Sequence, residues 1–164
     1  MARISPHRSL PSPGREVAFF RMELFTVGYS GRTLPQLVAT LHEHGITRVV
    51  DVRDRPQSRK PGFSALALFE GLRKDGIVYE LDRTLGNPEA IRELWKNGRL
   101  SEGKAAYRRR VRNGTAHRIR FLIELARIDR VAILCLEGDA NECHRGVIAE
   151  EAARLAPELQ VRHL

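Results

Sequence analysis

The clearest strand–turn–helix pattern in the sequence lies at residues 131–155, VAILCLEGDANECHRGVIAEEAARL. The apolar run at 131–136 predicts a strand that is buried on both faces, as strands of parallel sheets are. A polar turn at 137–142 and a helix over 145–155 follow it. Strand, turn and helix in this order are typical of one step of a parallel α/β sheet.

Strands and helices alternate along the rest of the sequence in the same way. Short apolar and β-branched runs predict strands, and apolar helical patterns that begin after caps such as Thr33 and Ser64 predict helices. The predicted strands lie at 24–27, 49–52, 77–81, 131–136 and 160–163. We therefore predict a single-domain α/β fold with a mainly parallel five-stranded sheet flanked by helices, in a Rossmann-like three-layer arrangement.

The beginning of the chain differs from the rest. Residues 1–21 are polar, contain several prolines and lack periodicity, so we expect a flexible extension before a domain at 22–164, with Met22 as an alternative start of translation. No apolar run approaches the roughly 20 residues of a membrane span, and no signal-peptide core is present. Two cysteines, Cys135 and Cys143, favour free thiols in a reducing compartment. We expect a cytoplasmic protein without a membrane partner.

The positive charge of the chain is concentrated in one segment. The net charge is +8, and residues 99–120 hold eight basic residues against one acidic residue, Glu102. The weak pattern over 82–113 predicts a basic helical insertion before the fourth strand, anchored by Trp95 and Tyr107. Such a segment suits contact with nucleic acid, and it also suits a solvated helix face. A nucleic-acid interface would use Arg108, Arg109, Arg110, Arg112, Arg118 and Arg120.

Polar side chains follow three of the predicted strands. They are Gly28, Tyr29 and Ser30 after the first strand, Asp51 and Arg53 after the second, and Cys135, Glu137, Cys143, His144 and Arg145 after the fourth. Ligands of parallel sheets bind beyond the carboxyl ends of the strands. We therefore expect Asp51, Arg53, Cys135, Glu137 and Arg145 to share one pocket. Asp51 as a turn cap and Cys135 as an ordinary buried thiol are the structural alternatives.

The start of the predicted last helix is suited to an anion. At residues 143–145, free backbone N–H groups and the helix dipole favour negative charge and lower the pKa of a cysteine. Arg53 and Arg145 would form forked hydrogen bonds to phosphate or carboxylate, and Lys60 would add charge. The alternative is an internal ion pair of Arg145, whose partner would be Glu137 or Asp51.

A metal site is the next hypothesis, because Cys135, Cys143 and His144 are three soft ligands with a carboxylate nearby. The spacing lacks the Cys-x-x-Cys pair of structural zinc sites. Adjacent Cys and His side chains are also expected to point in different directions at a helix start. We therefore predict no metal. The turn at 28–31 matches neither GxGxxG nor GxxxxGK[ST], so it is no phosphate-binding fingerprint and the sequence leaves the cofactor unknown.

Several short motifs occur in a fixed order along the chain. They are Thr26-Val27-Gly28-Tyr29-Ser30, Val50-Asp51-Val52-Arg53, Leu134-Cys135-Leu136-Glu137 and Cys143-His144-Arg145. Together they resemble the DUF488 family of bacterial and archaeal proteins, and the likeness runs from about residue 24 to the C-terminus. Tyr29 stands where many members of that family have His. The resemblance implies an α/β fold and a shared site, and it implies no reaction because the family name records an unknown function.

Three hypotheses for function follow. The first is an enzyme acting on a phosphorylated or nucleotide-like anionic substrate, in which Glu137 or Cys135 reacts and His144 carries protons. A carboxylate suits cleavage of a glycosidic bond, a thiolate suits acyl or sulfur transfer, and the sequence leaves both open. The second is a nucleic-acid-associated binding module, and the third is a small-anion sensor without turnover. The catalytic set is Glu137, Cys135, His144 and Asp51; the ligand-binding set is Gly28, Tyr29, Ser30, Arg53, Lys60, Cys143 and Arg145.

Overall fold

The computed structural model describes residues 21–164, so all but the last residue of the predicted 1–21 extension lies outside it. The strands are β1 Glu23–Gly28, β2 Arg48–Asp51, β3 Val78–Leu81, β4 Val131–Cys135 and β5 Gln160–His163. The helices are α1 Leu34–Glu43, α2 Ala65–Lys74, α3 Glu89–Lys96, α4 Leu100–Arg110, α5 Ala116–Ile128 and α6 His144–Leu155. Within the described range, no helix is both long enough and apolar enough to cross a membrane.

The five strands form one parallel sheet in the order β3-β2-β4-β1-β5. This confirms the predicted α/β class and the parallel five-stranded sheet. The central strand β4 pairs with β1 so that Cys135 lies opposite Gly28, and it pairs with β2 so that Leu134 lies opposite Asp51. The carboxyl ends of three adjacent strands therefore meet at one edge, where parallel sheets bind ligands.

The two faces of the sheet carry separate hydrophobic clusters, because successive side chains of a strand point to opposite faces. Ile133 and Cys135 of β4 pack with α4, α5 and α6, whereas Ala132 and Leu134 pack with α1 and α2. The chain thus leaves β4 toward one face and leaves β1 and β2 toward the other. Divergent connections of this kind open a crevice between neighbouring strands.

The helices begin where the sequence places its caps. The side chain of Thr33 accepts a hydrogen bond from the Gln36 N–H, and the Gln36 side chain returns to the Thr33 N–H, which completes a capping box. Ser64 caps α2 through the Ala67 N–H. These bonds satisfy N–H groups that the first helical turn leaves without partners.

The segment between β3 and β4 is helical, as predicted. A short 3-10 turn at Arg83–Leu85 and helices α3 and α4 come first, and a π-helical turn at Val111–Thr115 joins α4 to α5. Gly103 of α4 lies against the indole of Trp95, where a Cβ would stand 2.7 Å from a ring carbon. Tyr107 is fully buried and meets Trp95 edge to face. Trp95 and Tyr107 therefore anchor the insertion to the domain.

Gly28 ends β1 in close contact with the turn that follows β4. A Cβ atom at this position would stand 1.8 Å from the main-chain oxygen of Glu137. No side chain fits this gap, and both contacting groups are backbone, so neither can move aside as a side chain would.

We expect Gly28→Ala to lower the free energy of unfolding by about 3 kcal/mol, because the added methyl group forces the two backbone segments apart. Urea denaturation followed by circular dichroism measures the change. The matched control is Gly114→Ala, where an added Cβ meets no atom within 4 Å. Equal stabilities of the two variants would contradict the close backbone contact at Gly28.

Candidate functional site

Two thiols, a carboxylate and an imidazole meet where β4 ends and α6 begins. The Sγ atoms of Cys135 and Cys143 lie 3.2 and 3.0 Å from Oε2 of Glu137, to which both thiols donate. The same sulfurs lie 3.8 and 3.6 Å from Nδ1 of His144. The predicted divergence of Cys143 and His144 is wrong. Cys143, the N-cap, is extended (φ −132°, ψ 146°) and His144 is already helical, so the two side chains turn to the same side.

The orientation of the His144 ring is set by the main chain of β2. Its Nε2 lies 2.9 Å from the carbonyl oxygen of Val52. A carbonyl oxygen only accepts, so Nε2 carries the hydrogen and the neutral ring presents the lone pair of Nδ1 to the two sulfurs. Tyr107 supports the ring edge to face at a centroid distance of 5.2 Å. His144 is thus held with one defined nitrogen facing the cluster.

A pocket of about 170 Å³ opens above these four groups, with Cys135, Glu137, Cys143 and His144 as its floor. Its walls include Tyr29, Arg53, Arg55, Asn87, Arg92 and Trp95. The structure therefore brings together Tyr29, Arg53 and all four floor residues from the set named by sequence. Three separate strand ends contribute to the one cavity.

Part of the wall comes from residues that the sequence did not single out for binding. Asn87, Arg92 and Trp95 belong to the insertion that follows β3. Asn87 Oδ1 and Trp95 Nε1 are buried and have no hydrogen-bond partner among the described residues. Buried polar atoms are ordinarily satisfied, and these two lack a partner although their residues line the pocket. The sequence feature that could have identified these residues is that the insertion leaves β3 at the same edge of the sheet.

Asp51 lies behind the pocket rather than in it. Its carboxylate is fully buried, accepts from Nε and Nη2 of Arg53 at 2.8 and 2.5 Å, and accepts from the Tyr79 hydroxyl at 2.7 Å. Arg53 also donates to the Tyr29 hydroxyl and to the Phe63 carbonyl. The prediction that Asp51 shares the pocket is wrong, because this carboxylate is buried in hydrogen bonds to Arg53 and Tyr79. Asp51 is a positioning residue.

Arg145 is likewise a positioning residue. It is 1% exposed, and its guanidinium donates to the main-chain carbonyls of Glu137 and Gly138. Arg145 does not line the pocket, so the prediction that it shares the pocket is wrong, and so is the alternative of an ion pair with Glu137 or Asp51. A buried guanidinium that donates hydrogen bonds to two consecutive carbonyls fixes the turn that carries Glu137.

Three other residues named for ligand binding also hold the loops. Gly28, Ser30 and Lys60 do not line the pocket. The Ser30 N–H donates to the Leu136 carbonyl at 2.8 Å, and Lys60 Nζ donates to the Tyr29 carbonyl at 3.0 Å. These bonds hold the loops beside the pocket, and a role of the three residues in ligand binding stays a prediction.

Glu137, Cys143 and His144 of the floor have shifted pKa values. Burial alone would raise the pKa of Glu137, but hydrogen bonds from Cys143, the backbone and Cys135 outweigh it and lower the pKa. Burial, with the neighbouring Cys135, raises the pKa of Cys143 well above its ordinary value, so the lowered pKa predicted from the helix dipole is wrong. Burial would lower the pKa of His144, but Cys143, the Val52 carbonyl and Glu137 outweigh it and raise the pKa.

The arginines of the basic segment are largely paired within the protein. Arg108 contacts Glu150 and Glu151 of α6, and Arg112 donates two hydrogen bonds to Glu151. Other partners are Thr84, whose carbonyl accepts from Arg110, and Asp82 and Glu80, which pair with Arg118. Arg109 and Arg120 have no ion-pair partner within residues 21–164. Arg108, Arg110, Arg112 and Arg118 thus have partners within the protein, and a nucleic-acid interface on this segment stays a prediction.

One comparison with known proteins gives a match. The model of the family described as "Domain of unknown function DUF488" matches residues 33–152. Neither the curated proteins nor the solved structures include a significant match to the chain. The matched range contains Asp51, Arg53 and all four floor residues of the pocket.

We expect Asp51→Asn to lower the free energy of unfolding by about 3–5 kcal/mol, because it leaves the Arg53 guanidinium buried without a counter-charge. The matched control is Glu89→Gln, which breaks the exposed pair with Arg55 at 2.9 Å and should change stability by less than about 1 kcal/mol. Urea denaturation of both variants makes the comparison. A loss below about 1 kcal/mol for Asp51→Asn would contradict the assigned role.

Proposed function

The chain belongs to the DUF488 family, and because that description assigns no reaction, we propose from the site that it is an enzyme acting on a small anionic molecule. The observation that carries this proposal is the convergence of Cys135, Cys143, His144 and Glu137 at the floor of an open pocket. Buried polar groups are costly to a fold. Four reactive groups that contact one another beside a cavity, with shifted pKa values at Glu137, Cys143 and His144, are typical of a catalytic centre.

The anionic character of the ligand is inferred from the pocket wall. Arg55 lies 3.9 Å and Arg92 lies 3.7 Å from the carboxylate of Asp54, and Arg55 also pairs with Glu89. These partly exposed pairs contribute only about 0–1 kcal/mol each, so a ligand phosphate or carboxylate replaces them at little cost. Guanidinium groups bind such anions through paired hydrogen bonds.

The size of the cavity limits the ligand. A volume of about 170 Å³ is below the range of about 300–1,000 Å³ that is usual for sites of drug-sized ligands. We therefore infer a small metabolite, or the anionic end group of a larger one. Asn87 and Trp95 supply one acceptor and one donor for its polar atoms.

Glu137 is the best-supported reacting group in the protein without bound ligands. Its lowered pKa keeps the carboxylate ionised at neutral pH, as a base or nucleophile requires. The raised pKa of Cys143 keeps that thiol protonated and weakens it as a nucleophile. We assign His144, whose tautomer is set by the Val52 carbonyl, as the proton carrier. The two pKa shifts favour Glu137 over Cys143 as the reacting group.

We expect Arg92→Gln to weaken the binding of anionic probes by roughly 10- to 100-fold, as loss of a charge-assisted hydrogen bond predicts. Trp95 is the only tryptophan of the chain and lines the pocket, so its fluorescence reports occupancy. The probes are inorganic phosphate, pyrophosphate, adenosine monophosphate and succinate. Arg99→Gln, which removes an exposed arginine paired with Glu102, is the control. Absence of any saturable fluorescence change in the wild type would refute the anion site.

We expect turnover to depend on Glu137. Wild-type protein and Glu137→Gln are incubated with a metabolite extract, and untargeted mass spectrometry identifies compounds that only the wild type consumes. The expected loss of rate is at least about 100-fold, the typical contribution of a positioned acid or base. The matched control is Glu142→Gln, a carboxylate on the pocket wall outside the floor contacts. If the wild type consumes nothing that Glu137→Gln spares, the protein is not the proposed enzyme.

A further inference from the structure

We propose that Cys135, Cys143 and His144 bind one transition-metal ion of the zinc class at the floor of the pocket. This inference deepens the proposed function by naming what the floor holds. It rests on the arrangement of the donor atoms, all of which lie within 4.8 Å of one another. It also opposes the expectation of no metal drawn from the sequence, one ground for which was that Cys143 and His144 diverge.

The distances suit a tetrahedral ion. With zinc–sulfur bonds of about 2.3 Å and zinc–nitrogen bonds of about 2.0 Å, tetrahedral sulfur and nitrogen donors lie roughly 3.5 Å apart. The observed separations of Nδ1 of His144 from the two sulfurs are 3.6 and 3.8 Å. An ion therefore fits between the three donors with only small adjustments of side chains.

The surroundings of the donors are those of a metal centre. The Val52 carbonyl holds the His144 ring by its Nε2–H and leaves the Nδ1 lone pair facing the sulfurs, which is how ligating histidines are usually oriented. The Arg145 backbone N–H points at the Cys143 sulfur at 3.5 Å. Hydrogen bonds to sulfur stabilise a thiolate ligand. Both features would be unneeded around two ordinary buried thiols.

The set leaves one position for an exogenous ligand. Three protein ligands with an open fourth position distinguish catalytic zinc sites from closed structural ones. The three donors form the pocket floor, so that position faces the cavity. The Glu137 carboxylate stands beside it, 3.0 to 3.2 Å from the two sulfurs. We assign Glu137 as the neighbouring base and not as a required ligand.

Binding conserves charge at the floor. A divalent ion replaces the two thiol protons, which are released to solvent, and the sulfurs become thiolates. The net charge of the buried cluster is therefore the same before and after binding. The thiols no longer donate to Glu137, so its carboxylate is free to accept a proton from a molecule in the fourth position.

The test uses the full chain, treated with chelator and kept reduced by a phosphine so that no disulfide forms. Cobalt(II) chloride is titrated in, and zinc sulfate then displaces the cobalt. We expect one equivalent of cobalt, with the near-ultraviolet thiolate-to-cobalt absorption and the intense visible bands of four-coordinate cobalt. Absence of thiolate absorption in the folded wild type overturns the proposal, whatever the variants do.

The variants separate ligands from neighbours. Cys143→Ser, Cys135→Ser and His144→Gln should each weaken zinc binding by more than about 100-fold, beyond what loss of an outer-shell contact causes. Glu137→Gln and its matched control Glu142→Gln should each retain one equivalent. Circular dichroism checks that each variant is folded. Loss of cobalt on Glu137→Gln alone would overturn the open fourth position.

The test of metal binding and the test of anion binding can fail independently of each other. Cobalt absorption is read at the floor, and fluorescence of Trp95 with phosphate or succinate is read at the wall. A wild type that binds cobalt but no anionic probe supports the metal site and refutes the proposed substrate class. A wild type that binds the probes but no cobalt refutes the metal site and leaves the proposed enzyme standing.

Discussion

The contact between Gly28 and the carbonyl of Glu137 sets how closely the end of β1 approaches the turn after β4. Arg145 holds the other side of the same turn through the carbonyls of Glu137 and Gly138. Two backbone constraints thus locate the turn without using any side chain that faces the pocket. The carboxylate of Glu137 remains available to the thiols for this reason.

The order of elements and the edge that carries the site could be predicted from the sequence. Apolar runs such as 131–136 and caps such as Thr33 are local signals, and each observed strand end lies within one residue of the prediction. Which polar residues face the cavity could not be predicted. Asp51 ends β2 and Arg53 follows it, yet only Arg53 reaches the pocket, because the fully buried Asp51 is enclosed by Arg53 and Tyr79. Such differences depend on tertiary contacts.

The basic segment shows the same limit for electrostatics. Counting charges along the chain made 99–120 look like an exposed cationic surface, but Glu151 of α6 accepts from Arg112, which is 39 residues away in sequence. Glu151 is buried and also pairs with Arg108 and Arg154. A window of sequence cannot include these partners. Two of the eight basic residues of the segment, Arg108 and Arg112, therefore attach α4 and the π-helical turn to α6.

The floor and the wall of the pocket come from different parts of the chain. The floor is built on strand ends, whose positions are fixed by the sheet. Asn87, Arg92 and Trp95 lie on the insertion outside the sheet. Mutations in the insertion alter the shape of the pocket above the floor while the hydrogen bonds of the sheet stay the same. The shape of the pocket and the chemistry of its floor are therefore separable by substitution, because they depend on different segments of the chain.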